Sequence, residues 1–133
     1  MSWQIKAASE AMRAHRHYIL KDHEPVAVSL LEWVAWFERC FSERIVAQDH
    51  VCTVFVSTVF LGVDHNFVDD GPPILFETMV FDAPDGDVRW DGQRMWRFPT
   101  WEAAEQWHKA VVNQLRRRAG GGGTNVVLLG APG

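Results

Sequence analysis

Four side chains in this sequence have types and positions that could support chemistry. Asp64 and His65 are adjacent in a polar stretch, and Glu77 lies inside the apolar run that follows it. His108 falls within the apolar stripe of a predicted helix. Carboxylate and imidazole groups together can catalyse acid–base reactions or bind a metal ion. The four residues are therefore the candidate catalytic groups of a small hydrolase, either metal-dependent or acid–base.

The polar stretch also has a structural interpretation, because it is rich in residues whose side chains hydrogen-bond to nearby backbone in loops. These residues are Asp64, Asn66, Asp69 and Asp70. The stretch does not fit an EF-hand, since Leu75 occupies the twelfth position, where a glutamate is needed. No P-loop, zincin or nucleophile-elbow pattern occurs elsewhere. We expect no metal site and no cofactor, and a loop-forming role for these side chains.

A β-hairpin between Val51 and Asp82 is predicted to position the candidates. Its arms, residues 51–61 and 74–82, are rich in β-branched and aromatic residues. Apolar residues occupy both alternating positions of each arm, which predicts a sheet covered on both faces. A strand start at 44–47 and a turn or bulge at 48–50 are expected before the first arm, and a last strand at 95–98.

Two helices are predicted to pack on this sheet, at about residues 30–42 and 101–117. The capping box Ser29–Glu32 opens the first helix, and Thr100 is the N-cap of the second. A helical wheel of the first helix predicts one core-facing stripe: Leu30, Leu31, Val34, Phe37 and Phe41. The expected fold is α+β, with an antiparallel sheet built on a central long hairpin and two main helices packed against it.

Glu77 and His108 are expected to meet in this arrangement. Glu77 shares its alternating positions with Leu75, Met79 and Phe81, and His108 lies on the packing stripe of its helix. A carboxylate that faces a packed helix needs a hydrogen-bond partner, and an imidazole on that helix can supply one.

Trp36 is the predicted partner-binding residue. It lies in the middle of the stripe opposite the predicted core face of the first helix. Such a tryptophan is either covered by another segment, such as an N-terminal helix, or exposed to a partner. The sequence leaves both possibilities open.

Three organisational segments are predicted along the chain: an N-terminal helical extension (1–16), a single α+β domain (17–118) and a Gly-rich flexible tail (119–133). The formal net charge of −4 opposes nucleic-acid binding as the main function. No apolar run is long enough for a membrane span or a secretion signal, which predicts a cytoplasmic protein with no membrane contact. Cys40 and Cys52 match no zinc or CxxC spacing.

Three sequence segments resemble an uncharacterised family of small bacterial and phage- or prophage-borne proteins. They are VSTVFLGVDH (56–65), PILFETMVF (73–81) and TWEAAEQWH (100–108). The resemblance covers about His17 to Leu115 and carries no established activity or catalytic residues. It implies an accessory protein of a bacterial host cell. We therefore expect a non-enzymatic protein that acts through protein–protein interaction, with another protein or with a second copy of itself.

Overall fold

The computed structural model describes residues 16–120, which form two antiparallel sheets and two helices and confirm the predicted α+β fold. The strands are β1 (Tyr18–Lys21), β2 (Glu24–Ala27), β3 (Ile45–Val51), β4 (Val54–Phe60), β5 (Phe76–Asp82) and β6 (Met95–Phe98), and the helices are α1 (Leu30–Arg39) and α2 (Trp101–Ala119). A short 3-10 helix, Phe41–Arg44, follows α1. The predicted N-terminal helix and the tail beyond residue 120 lie outside the described residues.

The predicted central hairpin is formed by β4 and β5. These strands pair in continuous antiparallel register from Val54 opposite Asp82 to Phe60 opposite Phe76. The four-stranded sheet has the order β3-β4-β5-β6, and β1 and β2 form a separate hairpin. Every neighbouring pair in both sheets is antiparallel.

The turn before the central hairpin is not where the sequence predicted it. β3 runs through residues 48–50 without a turn, and the chain reverses at Cys52 and Thr53, inside the predicted first arm. Cys52 has a positive φ of 53°. Cysteine rarely adopts that backbone conformation, and the surrounding sequence has neither glycine nor proline, so it carries no ordinary turn signal.

The two faces of the four-stranded sheet differ in burial, which corrects the prediction that both are covered. One face is buried, and its contacts include α2: Val54, Val56, Thr58, Phe60, Phe76, Thr78 and Val80. The other face carries Phe81 and Met95, which are exposed. A sheet of this kind has one buried face and one face open to solvent.

Helix α1 packs through a face that shares only Phe37 with the predicted core stripe. Trp33, Trp36 and Phe37 point inward, whereas Leu30 and Leu31 are exposed. The aromatic side chains bury more area, and the Trp33 indole also donates a 2.9 Å hydrogen bond to the Gly62 carbonyl. The helical-wheel prediction is therefore corrected: the core face of α1 is the aromatic stripe formed by Trp33, Trp36 and Phe37.

Trp36 is therefore a core residue rather than an exposed contact. Its side chain is 6% exposed, and its ring meets Phe60 and Phe37 in edge-on contacts. Gly62 permits this close packing, because a Cβ there would lie 2.4 Å from Phe37 Cζ. Of the two possibilities left open for Trp36, the described fold has the covered one.

Candidate functional site

The polar stretch after β4 forms a loop, residues 64–73, which we call the Asp64 loop. Asp64 is buried, and its Oδ1 accepts hydrogen bonds from the backbone N–H of Asn66 (2.8 Å) and of Ile74 (2.9 Å). One carboxylate oxygen thus joins the start of the loop to the residue that follows it. The loop-forming interpretation of Asp64 fits these contacts.

Asn66 organises the middle of the Asp64 loop. Its Oδ1 accepts from the backbone N–H of Val68 and of Asp69, both at 3.2 Å. Its Nδ2 donates to Asp69 Oδ1 (3.0 Å) and to the Pro72 carbonyl (3.2 Å). Asn66 is itself buried, so these bonds are shielded from competition with water.

The tip of the Asp64 loop presents two apolar side chains. Phe67 is 65% exposed and Val68 is 92% exposed. Phe67 meets the His65 ring edge-on at 6.0 Å, and the Arg16 guanidinium lies 5.5 Å from the centre of the Phe67 ring. The buried side chains of Asp64 and Asn66 thus hydrogen-bond to the backbone on both sides of the tip.

A recess of about 350 Å³ lies beside the tip. It is lined partly by His65, Val68, Pro72, Ile74, Arg97 and Pro99. His65 Nδ1 donates to the Val63 carbonyl at 2.7 Å, and Nε2 is the second hydrogen-bonding nitrogen of the ring. The recess combines apolar walls with an imidazole nitrogen and a guanidinium.

Glu77 does not meet His108. It pairs with Arg97 directly across β5 and β6, where Arg97 Nε donates to Glu77 Oε2 at 3.0 Å. His108 contacts Thr58 on the opposite face of the sheet. The predicted pairing is wrong because Phe76, Thr78 and Val80, not the residues that share Glu77's side, are the buried positions of β5.

His108 lies at the centre of a buried hydrogen-bond chain that joins α2 to the sheet. Its side chain is 2% exposed. Nδ1 lies 2.7 Å from Thr58 Oγ1, which lies 2.7 Å from Thr78 Oγ1, and Nε2 lies 2.7 Å from Asp49 Oδ2. A neutral ring satisfies every atom: Nε2–H donates to Asp49, and the Thr58 hydroxyl donates to Nδ1 while accepting from Thr78.

This chain resembles a catalytic triad in residue types but not in access. The Thr58 hydroxyl occupies the position of a nucleophile, yet Thr58 and Thr78 have no exposed surface. Asp49 and His108 line a surface pocket of about 250 Å³, beside Lys109 and Arg116, whereas neither threonine lines it. A substrate atom therefore has no route to the hydroxyl, and the arrangement fits a structural couple.

The four candidate catalytic residues are thus distributed over three places. Asp64 and His65 belong to the loop, Glu77 to the open face of the sheet and His108 to the covered face. Within residues 16–120, no group of three or more His, Cys, Asp or Glu side chains has the geometry of a metal site. The structure does not bring the four together as one acid–base centre.

Several residues of these clusters were missed from the sequence. Thr58 and Thr78 occupy buried positions between apolar residues on the covered face of their strands, which is a detectable signal for a polar partner on the helix above. Asp49 was missed because a turn or bulge, and not a strand, was predicted at residues 48–50. Phe67 and Val68 carried no clear signal, because single apolar residues are common in loops.

The chain matches no protein-family model, no curated protein and no solved structure. Within the described part of the chain, neither helix combines the length and hydropathy needed to cross a bilayer.

Proposed function

We propose that this protein is a non-enzymatic accessory protein that binds a protein partner through the tip of the Asp64 loop. One observation carries the proposal: two exposed apolar side chains, Phe67 and Val68, stand on backbone that Asp64 and Asn66 fix by hydrogen bonds. A surface that is already ordered loses little conformational entropy on binding, so more of the contact energy becomes affinity. The phage or prophage association rests on the sequence resemblance alone.

The recess beside the tip supports the same proposal. A partner that covers Phe67 and Val68 can insert an apolar side chain between Pro72, Ile74 and Pro99. His65 and Arg97 line the recess, and the imidazole Nε2 and the guanidinium supply hydrogen bonds at its rim. A protruding apolar anchor next to a recess is typical of protein interfaces, where buried anchors are surrounded by polar contacts.

The enzyme alternative has less support. It requires Asp64, His65, Glu77 and His108 to converge on one cleft. Asp64 instead has its Oδ1 bonded to two backbone N–H groups, and Glu77 is paired with Arg97. The acidic net charge continues to oppose nucleic-acid binding.

The proposal is tested with two variants that carry the same kind of change. Val68→Ser alters the tip, and Met95→Ser alters an exposed apolar residue on the open sheet face. Tagged wild-type and variant proteins are expressed in cells and used there for affinity capture. Each captured partner is then purified, and its affinity for the wild-type and variant proteins is measured by titration. We expect Val68→Ser to weaken binding about tenfold or more, with an unchanged melting temperature and no effect of Met95→Ser. Equal affinities for Val68→Ser and wild type would reject the proposed surface.

A further inference from the structure

Helix α1 is apolar on two sides, and only one side is covered within the described residues. Trp33, Trp36 and Phe37 pack against the domain, whereas Leu30 and Val34 are exposed and Leu31 is 82% exposed. Phe41, in the 3-10 helix that follows, is also exposed. Contiguous exposed apolar patches on a protein surface mark a contact.

The described chain begins beside helix α1. The Arg16 carbonyl accepts a 3.0 Å hydrogen bond from the Asp64 N–H, and the next residue, His17, meets the Trp33 ring edge-on at 5.3 Å. Residues 1–15, which lie outside the described residues, therefore join the fold next to α1. Fifteen residues as a helix would extend about 22 Å, against about 15 Å for the 10 residues of α1. The segment is long enough to cover the helix from end to end.

The charge and spacing of this segment complement the exposed face. Glu38 lies four residues after Val34 and continues the same stripe, exposed and without an ion pair within the described residues. Residues 1–15 carry two cations, Lys6 and Arg13, against the single anion Glu10. They also place Trp3, Ala7, Ala11 and Ala14 at the spacing of one helical stripe.

We propose that residues 1–15 of this chain dock along the exposed face of α1, against Leu30, Leu31 and Val34, with Lys6 or Arg13 beside Glu38. Trp3 supplies the large apolar surface of the contact, and the alanines allow close approach. The contact is separate from the Asp64 loop tip. It gives the segment a function in shielding α1, in place of the cover over Trp36 that the sequence suggested.

Hydrogen exchange in the full chain tests this contact. We expect Trp3→Asp to accelerate exchange of the amides of residues 33–38 about tenfold or more, because the helix loses its outer cover. The change Ser9→Asp adds the same charge on the side opposite this stripe and should leave exchange unchanged. Amides of α2 serve as the internal reference. Equal exchange in Trp3→Asp and wild type would overturn the proposal.

Charge reversal at the proposed ion pair and sedimentation of the full chain complete the test. Glu38→Lys should also accelerate exchange in residues 33–38, and the added changes Lys6→Glu and Arg13→Glu should restore it. If these two added changes did not restore slow exchange, the proposed ion pair with Glu38 would be rejected. Sedimentation of the full chain should give a monomer. A dimer that Leu31→Asp dissociates and Trp3→Asp does not would assign the face to a second copy and overturn the proposal.

Discussion

Thr58 on β4 and His108 on α2 are joined by a 2.7 Å hydrogen bond between Oγ1 and Nδ1, and both side chains are buried. The bond connects the central hairpin to the helix that covers it. Its partners on either side, Thr78 and Asp49, extend the connection to β5 and β3. Three strands and one helix are therefore held in register by four polar side chains.

The first prediction is that His108→Gln destabilises the fold by about 1–3 kcal/mol, because one glutamine cannot replace both ring nitrogens and a buried polar group loses its partner. Urea denaturation measures the change. Lys109→Gln is the matched control, since Lys109 is 71% exposed and its ion pair with Glu105 contributes little. If His108→Gln kept full stability and abolished a measured activity, the enzyme alternative would regain support.

The predicted Glu77–His108 pairing failed because the alternation of residues along β5 does not identify which face of the sheet is buried. Both alternating sets of β5 are apolar, so the sequence does not identify the buried set. The pairing of β4 with β5 decides it, because Phe60 and Thr58 place Phe76 and Thr78 on the covered face. The hairpin itself was predictable, since its arms and the long loop between them are local features.

For helix α1, too, the sequence did not identify the side that faces the core. Its N-cap followed from local sequence, but its predicted end at about residue 42 lies beyond the observed end at Arg39, and its orientation was not predicted. The wheel contains an aliphatic stripe and an aromatic stripe, and the aromatic one is chosen by contacts with Gly62 and Phe60, which are distant in sequence. By contrast, His108 was correctly assigned to the packing face of α2, where the surrounding stripe is unambiguous.

The second prediction concerns the start of α1. Ser29 Oγ accepts from the Glu32 N–H at 3.2 Å, which confirms the predicted N-cap. Ser29→Ala removes this bond and should cost about 1 kcal/mol of unfolding free energy. Chemical denaturation measures it, with Ser42→Ala as the control because Ser42 is an exposed residue inside the 3-10 helix and not a cap residue. Equal midpoints for Ser29→Ala and wild type would contradict the expectation.

The third prediction is an acid-dependent contribution from Asp82. The hydrogen bond from Arg94 lowers the pKa of the Asp82 carboxyl below its ordinary value of 3.8. A group with a depressed folded-state pKa stabilises the fold above its unfolded value, and the contribution is lost as pH falls through the folded value. Asp82→Asn should therefore be less stable than wild type at neutral pH, and the difference should shrink in acid. A difference that stays constant with pH would contradict this assignment; Asp85→Asn is the control.

The last prediction uses Tyr18, the single tyrosine of the chain, whose ionisation can be followed without interference from another phenol. Burial raises the pKa of the Tyr18 hydroxyl above its ordinary value of 10.0, and the negative charge of Asp64 raises it further. The raised pKa means that Tyr18 contributes stability below about pH 10 and that this contribution is lost as pH rises through the folded value.

Asp64→Asn separates these two causes. The change removes the charge but keeps an oxygen that can accept from the N–H groups of Asn66 and Ile74. We expect the pKa of Tyr18 to fall toward 10.0 without reaching it, because burial is the larger cause and remains. Near-ultraviolet absorbance of the phenolate measures the titration. Asp70→Asn changes the same charge in the exposed part of the loop and should move the Tyr18 pKa less. An identical titration of wild type and Asp64→Asn would show that the Asp64 charge does not act on Tyr18, and would leave burial as the whole cause.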